Sequence, residues 1–210
     1  MGNIKKKHFI FDMDGTLADT AKVTVAAFHE LDEKYKLHRL EYKQIRDAIG
    51  IGGLDFYISL YPERSRVILI DFAEEVENME KIKTRELGKE ILFPGVYEML
   101  IKLLEEGCYL HIASTGSKEH VDSTLTSGKI KHLFKDISCD EPEKILMVKK
   151  IIAGQDISEW VMIGDRKKDS DAAKGSGIPA LGAKFGYLNE EDFKLFDEVL
   201  HKPEDIYKYI

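Results

Sequence analysis

Phe9-Ile10-Phe11-Asp12-Met13-Asp14-Gly15-Thr16-Leu17 is the stretch on which the fold turns. With His8 before them, its three leading apolar residues read as a short buried strand, and the Asp-x-Asp-Gly that follows ends it in turn-forming residues. Asp12 and Asp14 are two apart, so both side chains point the same way wherever strand geometry persists. Carboxylates crowded at a strand end repel one another unless a cation neutralises them. Mg2+, hard and oxygen-seeking, suits such a donor set.

Three more apolar runs end in the same manner. Residues 109–113 run into Ser114, 160–163 into Gly164-Asp165, and 178–181 into Gly182. Helical patterns lie between them. Val96, Met99, Leu100, Leu103 and Leu104 recur at helical spacing before Gly107, and Met147, Val148, Ile151 and Ile152 do so before Gly154. Strands alternating with helices imply an α/β fold, a Rossmann-like, doubly wound parallel sheet with helices on both faces. Residues 19–87 break the alternation. They read as consecutive helices over 20–37, 41–49, 54–60 and 62–87, the last with Leu69, Phe72, Ala73, Val76 and Met79 as an apolar stripe. The expected organisation is a core from residues 1–18 and 88–210 with an inserted all-helical cap at 19–87. A short strand at 198–200 and a final helix are expected near the C-terminus.

Open α/β sheets bind ligands beyond the carboxyl ends of their strands. Here those ends carry Asp12 and Asp14, then Ser114-Thr115-Gly116-Ser117, then Gly164-Asp165 with Asp169 just beyond. The second segment precedes a helical pattern at 118–127, and free N–H groups at a helix start favour phosphate. Lys144 adds a point charge at the start of the next helix. Carboxylates, a metal, a helix N-terminus and a lysine together suit phosphoryl transfer. Ser114 and Thr115 compete for the hydroxyl role, and Ser114 is preferred because it directly follows Ala113. Asp171 competes with Asp169, where spacing favours Asp169; Lys149 and Lys150 fall later in their helix than Lys144.

In these segments the chain resembles the haloacid dehalogenase-like phosphatase superfamily. The four motifs of that superfamily match Asp12-Met13-Asp14-Gly15-Thr16 after its strand, Ser114, Lys144, and Gly164-Asp165-Arg166-Lys167-Lys168-Asp169, in the expected order. The resemblance implies that Asp12 attacks phosphorus and that Asp14 is acid and then base. It implies that Mg2+ is held by Asp12, the main-chain carbonyl of Asp14 and Asp165, with Asp169 nearby or orienting Lys144. Ser114 and Lys144 would hold the phosphoryl oxygens, with Gly15, Thr16, Thr115 and Gly116 lining the same place. The aspartate at position 14 favours a phosphatase or phosphomutase over the dehalogenase, phosphonate-cleaving and transport-ATPase branches. The helical insert resembles the cap of phosphoglycolate phosphatase and β-phosphoglucomutase relatives, in which a segment like Gly50-Ile51-Gly52-Gly53 dips toward the substrate. Hinges are expected near residues 19–20 and 88–93.

Composition sets the remaining bounds. The 210 residues carry a formal net charge of −7, with 43% hydrophobic and 33% charged residues, a globular balance. That charge argues against nucleic acid as a partner, which needs a basic face. No apolar run reaches membrane-spanning length and no signal-peptide core follows the basic start, so no membrane and a cytoplasmic location are expected. Cys108 and Cys139 read as reduced thiols in or near the core, the seven histidines show no metal-ligand spacing, and Arg166-Lys167-Lys168 reads as a solvated charge run. The expectation is a Mg2+-dependent phosphatase acting on a small phosphorylated metabolite, with a sugar-phosphate mutase and a silent regulatory protein as alternatives. A monomer is compatible with the apolar stripes, and the oligomeric state is open.

Overall fold

The computed structural model describes residues 5–139, 141 and 143–210. In chain order the elements are β1 (His8–Phe11), α1 (Ala21–Leu31), α2 (Tyr42–Ala48), α3 (Leu54–Leu60), α4 (Arg66–Leu87), α5 (Val96–Glu105), β2 (Tyr109–Ser114), α6 (Lys118–Ser127) and β3 (Phe134–Cys139). Then come α7 (Lys144–Ile152), β4 (Trp160–Gly164), α8 (Lys167–Gly175), β5 (Ala180–Ala183) and β6 (Glu198–Leu200), with short 3-10 turns between several of them. The strands form one six-stranded sheet in the order β3-β2-β1-β4-β5-β6, and every pairing is parallel. The chain winds outward from β1 in both directions, which makes the end of β1 the switch point where an open α/β sheet binds ligands.

Period-two alternation divides the core between the two faces of the sheet. Phe9 and Phe11 of β1, with Ile112, Val161 and Ile163, pack against Val96, Met99, Leu100 and Leu103 of α5 and Val121 and Leu125 of α6. Ile10, Ala113 and Met162 face the other way, onto Met147, Val148, Ile151 and Ile152 of α7 and Ala172 and Ala173 of α8. Helices α1 to α4 surround a cluster of their own built from Phe28, Tyr57, Tyr61, Leu69, Phe72 and Val76, with the Phe28 and Phe72 rings edge to face at 4.9 Å. Edge-to-face aromatic packing adds about 1 kcal/mol to the burial of each such pair.

Several boundaries differ from the sequence reading. Strand β3 is absent from it because Phe134-Lys135-Asp136-Ile137-Ser138-Cys139 lies at the sheet edge, mostly exposed, where no continuous apolar run is required. Helix α1 ends at Leu31 rather than at residue 37, and Lys36 beyond it adopts a positive φ of 51°. Helix α4 starts at Arg66, where the Ser65 hydroxyl accepts from the Ile68 N–H, and not at Pro62. The fifth strand begins at Ala180, two residues after the expected start. The segments after it fold as 3-10 turns at Glu190–Leu195 and Pro203–Tyr209 in place of a final α-helix.

Candidate active site

Strand register sets the centre of the site. Phe11 pairs with Ile112 on one side and Ile163 on the other, so Asp12 emerges level with Ala113 and Gly164, beside Ser114 and Asp165. Asp12, Asp165 and Asp169 are buried and present carboxylate oxygens within 4.8 Å of one another. The Lys144 ammonium lies 2.8 Å from Asp12 Oδ1 and 2.6 Å from Asp169 Oδ1. The other Asp169 oxygen accepts from the main-chain N–H groups of Asp165 (3.1 Å) and Arg166 (2.9 Å), which fixes the turn that carries Asp165. Asp171 instead pairs with Lys167 at the surface. Gly164 is required here, because a Cβ would fall 2.2 Å from Asp169 Cγ.

Burial and the neighbouring Asp169 push the Asp12 carboxyl up to about 7 even though Lys144 pulls it down. Asp165 is raised well above the ordinary carboxylate range by burial and by Asp12 and Asp169. Burial alone would lower the Lys144 ammonium, but Asp12 and Asp169 outweigh it and the group is held above its usual range. Three acids against two cations, Lys144 and Arg166, leave the centre short of positive charge. Thr16 donates to Asp165 Oδ1 at 3.0 Å, and Arg166 Nε faces the buried Asp165 Oδ2 at 3.0 Å. A buried all-oxygen donor set with acids in excess of cations fits a hard divalent cation.

Asp14 sits beside this centre and faces a residue that sequence spacing does not reveal. His120 Nε2 lies 2.8 Å from Asp14 Oδ1. Burial alone would raise Asp14, but His120, Thr20 and Lys144 together hold its carboxyl below the usual range. Burial alone would lower His120, yet Asp14 and Glu80 take the imidazole up to about 9. Helix α6 carries His120 in its first turn, where Ser117 caps the helix by accepting from the His120 N–H. Asp14 and His120 are 106 residues apart and meet only through the β1–β2 pairing, so no local signal marks the pair.

The remaining expected residues fall into two groups. Ser114 is buried and its Oγ accepts from the Gly116 N–H at 3.2 Å. Gly15 has a φ of +78°, and a Cβ there would meet Asp165 Oδ2 at 2.7 Å and the Tyr187 ring at 2.5 Å, so the loop closes over the acids only with glycine. Thr16 is buried and is engaged by Asp165. Thr115, Gly116, Gly50, Gly52 and Gly53 line a cavity of about 230 Å³ that also reaches Asp14, His120, Glu77 and Glu80. Helix α2 and the 50–53 loop are tied to the start of α8, where Arg166 Nη2 donates to the Arg46 carbonyl (2.9 Å) and Lys168 to the Gly50 carbonyl (3.1 Å). Arg166 also stands 3.0 Å from Asp165 Oδ2, so it is not the solvated charge expected of it. Near the expected hinge, Tyr187 donates to Asp19 Oδ1 (2.6 Å) and accepts from the Ala21 N–H (2.8 Å).

Residues 9–183 match the family model described as haloacid dehalogenase-like hydrolase. The chain belongs to the haloacid dehalogenase-like hydrolase family. Among its relatives in that family, a phosphoglycolate phosphatase from Vibrio parahaemolyticus is 28% identical, over 88% of this chain and 86% of the relative. Another, from Caulobacter vibrioides, is 26% identical over 94% and 88%. The solved structure of a hydrolase of the haloacid dehalogenase-like family from Streptococcus pneumoniae superposes with a TM-score of 0.81 over 100% of this chain and 99% of that one, at 24% identity. That likeness establishes the shared fold, a haloacid dehalogenase-like sheet with the same helical flanks. Among the described residues, no helix is long and apolar enough to cross a membrane.

Proposed function

We propose that this hydrolase is a Mg2+-dependent phosphatase that cleaves a small phosphomonoester through a phosphorylated Asp12, with residues 1–18 and 88–210 as catalytic core and 19–87 as cap. The observation that carries the reading is the placement of Asp12 at the sheet's switch point, 2.8 Å from the Lys144 ammonium and beside Asp165 and Asp169. The phosphoglycolate phosphatases among its relatives support a small phosphorylated metabolite as substrate. A cytoplasmic location goes with that substrate class.

An oxygen of Asp12 attacks phosphorus as the bond to the leaving oxygen breaks, giving an aspartyl phosphate and an alcohol. Asp14 serves the proton that the leaving oxygen takes up, with the His120 imidazole as the adjacent proton carrier. Water then attacks phosphorus of the aspartyl phosphate and gives up its proton to Asp14 as the bond from phosphorus to the Asp12 oxygen breaks, releasing inorganic phosphate and restoring Asp12. Lys144, Ser114 and the Thr115 N–H would hold the phosphoryl oxygens, where charge spreads as the group transfers. Mg2+, held by Asp12, Asp165 and the Asp14 carbonyl with Asp169 behind them, would neutralise the acids and draw charge from the phosphoryl oxygens. The glycines of the 50–53 loop face the leaving group from the cap.

Phosphate release from a panel of phosphomonoesters tests the proposal, measured with Mg2+ and with chelator. Turnover that requires Mg2+ and is lost in Asp12→Asn is expected. Full activity in chelator, or in Asp12→Asn, would overturn the mechanism, and isomerised sugar phosphate without free phosphate would assign a mutase instead.

A further inference from the structure

Tyr187, in the segment after β5, touches both the loop that follows β1 and the root of the cap. Its main-chain N–H donates to the Gly15 carbonyl at 2.9 Å, and Gly186 before it lies so close that an added Cβ would fall 1.9 Å from the same carbonyl oxygen. That approach holds the loop that carries Asp14. The Tyr187 ring is buried over Gly15 and meets the Phe93 ring edge to face at 5.5 Å. Its hydroxyl donates to Asp19 Oδ1 at 2.6 Å and accepts from the Ala21 N–H at 2.8 Å.

The second of those bonds completes a helix end. Thr20 stands at the N-cap position of α1, yet its side chain makes no capping hydrogen bond. The first turn of a helix leaves N–H groups that need an outside partner, and for Ala21 the partner is a phenol from the core, 166 residues along the chain. The two segments that join cap to core are also tied to each other, Asp19 N–H to the Ile91 carbonyl at 2.7 Å and Phe93 N–H to the Leu17 carbonyl at 3.0 Å. Tyr187 reaches both segments, Asp19 through its hydroxyl and Phe93 through its ring. Burial and the Asp19 carboxylate push the phenol up from its usual range, so it stays a donor.

Resting on the phosphatase reading, we infer that Tyr187 is a positioning residue for the reaction, a single side chain that sets the root of the cap against the loop bearing Asp14. It does not line the cavity beside Asp14, so it acts through the groups it holds. The cap faces the leaving group while Asp14 serves its proton, and the placement of one relative to the other rests on the Tyr187 hydroxyl. Asp12 and Lys144 sit at the end of β1 and the start of α7, where that hydroxyl does not bear on them.

Tyr187→Phe keeps the ring on Gly15 and Phe93 and removes only the hydroxyl. With Mg2+ present, its kcat/KM for the best alkyl phosphomonoester of the panel should fall by about tenfold. Turnover of p-nitrophenyl phosphate, whose good leaving group needs little help from Asp14, should change much less. Hydrogen exchange at Ala21 and through the first turn of α1 should quicken in the same variant. Gly186→Ala disturbs the bridge at its other end and should lower the same ratio of alkyl to p-nitrophenyl ester. Because the readout is a ratio of two substrates on one preparation, a general loss of folded protein cancels. Tyr42→Phe is the control, since that phenol also donates to Asp19 Oδ1, at 3.2 Å, but from the exposed start of α2, and the parent ratio should persist. A ratio unmoved in both Tyr187→Phe and Gly186→Ala, unchanged exchange over α1, or the same shift in Tyr42→Phe overturns this inference and leaves the phosphatase standing. No turnover of any ester by the parent protein removes both.

Discussion

His120 Nε2 and Asp14 Oδ1 meet at 2.8 Å across the top of the sheet, joining the first turn of α6 to the loop after β1. The contact fixes the direction of the Asp14 carboxylate, and direction decides whether an acid–base group reaches the leaving oxygen. Protonation of that oxygen matters when the alcohol is a poor leaving group and hardly at all when it is a good one. In His120→Asn, kcat for alkyl phosphates should therefore fall by about tenfold to a hundredfold while p-nitrophenyl phosphate is much less affected. Asp14→Asn should show the same selectivity with a larger loss. Equal losses on both substrate types in both variants would assign His120 a purely structural part.

Three buried acids against Lys144 and Arg166 predict a linkage between divalent metal and stability. Asp12, Asp165 and Asp169 repel one another, and Lys144 and Arg166 neutralise only part of that charge. Mg2+ at a hundredfold excess over its dissociation constant should stabilise the fold by about 2.7 kcal/mol, read as a rise in Tm. Asp165→Asn should abolish the rise. Lys144→Met removes the cation from a buried pair and should destabilise the protein by about 3–5 kcal/mol in chelator, with part of the loss recovered on adding Mg2+. A Tm indifferent to Mg2+ in the parent protein would argue against the metal site.

How far the sequence exposes this site depends on how local each signal is. The strand before Asp12 and the turn after it lie within one short segment, so acids at a strand end are readable there, while the fold class rests on strands alternating with helices along the chain and the nucleophile on the family resemblance. Asp169 and Lys144 could be ranked above Asp171, Lys149 and Lys150 by spacing, and the structure brings Lys144 to 2.6 Å from Asp169. His120 could not be ranked at all. Its partner is set by the register of two parallel strands, and a lone histidine on a polar helix carries no periodic mark. Arg166 escapes sequence reading for a related reason, since a charge run looks solvated until α2 brings the Arg46 carbonyl over it. Strand β3 carries no such signal, because an edge position tolerates Lys135 and Asp136, which erase the apolar run.

Two glycines make a steric prediction. A Cβ on Gly164 would overlap the Asp169 side chain, and one on Gly15 would strike Asp165 Oδ2 and the Tyr187 ring in a backbone conformation that disfavours L residues. Gly164→Ala should displace Asp169 and with it Lys144, reducing kcat by a hundredfold or more at a stability cost of about 1–3 kcal/mol. Gly107→Ala is the comparison. That glycine also has a positive φ, but nothing lies within 4 Å of its added Cβ, so activity should persist with only a modest fall in Tm. Comparable kcat in the two variants would show that the Gly164 contact is dispensable.

Far from the catalytic rim, His111 sets the acid limb of stability. The residue is fully buried in β2, with Nδ1 2.8 Å from Asp136 Oδ2 and Nε2 3.2 Å from His8 Nδ1, and both imidazoles pack against Trp160. With Nδ1–H donating to Asp136, Nε2 accepts from His8, so a second proton on His111 breaks the contact between the rings. Burial accordingly takes His111 down to about 4 from a usual 6.5, despite the pull of Asp136, and burial also lowers His8. Between those two values the unfolded chain binds the proton and the native one does not. Stability contributed by the neutral imidazole is therefore full above pH 6.5 and declines as pH falls toward about 4, by up to about 3 kcal/mol. Urea unfolding followed from neutral pH to about pH 4.5 should give a steeper loss for the parent protein than for His111→Phe, whose ring keeps the stacking without the titration. Parallel losses in the two proteins would place the acid sensitivity elsewhere, in groups that both retain.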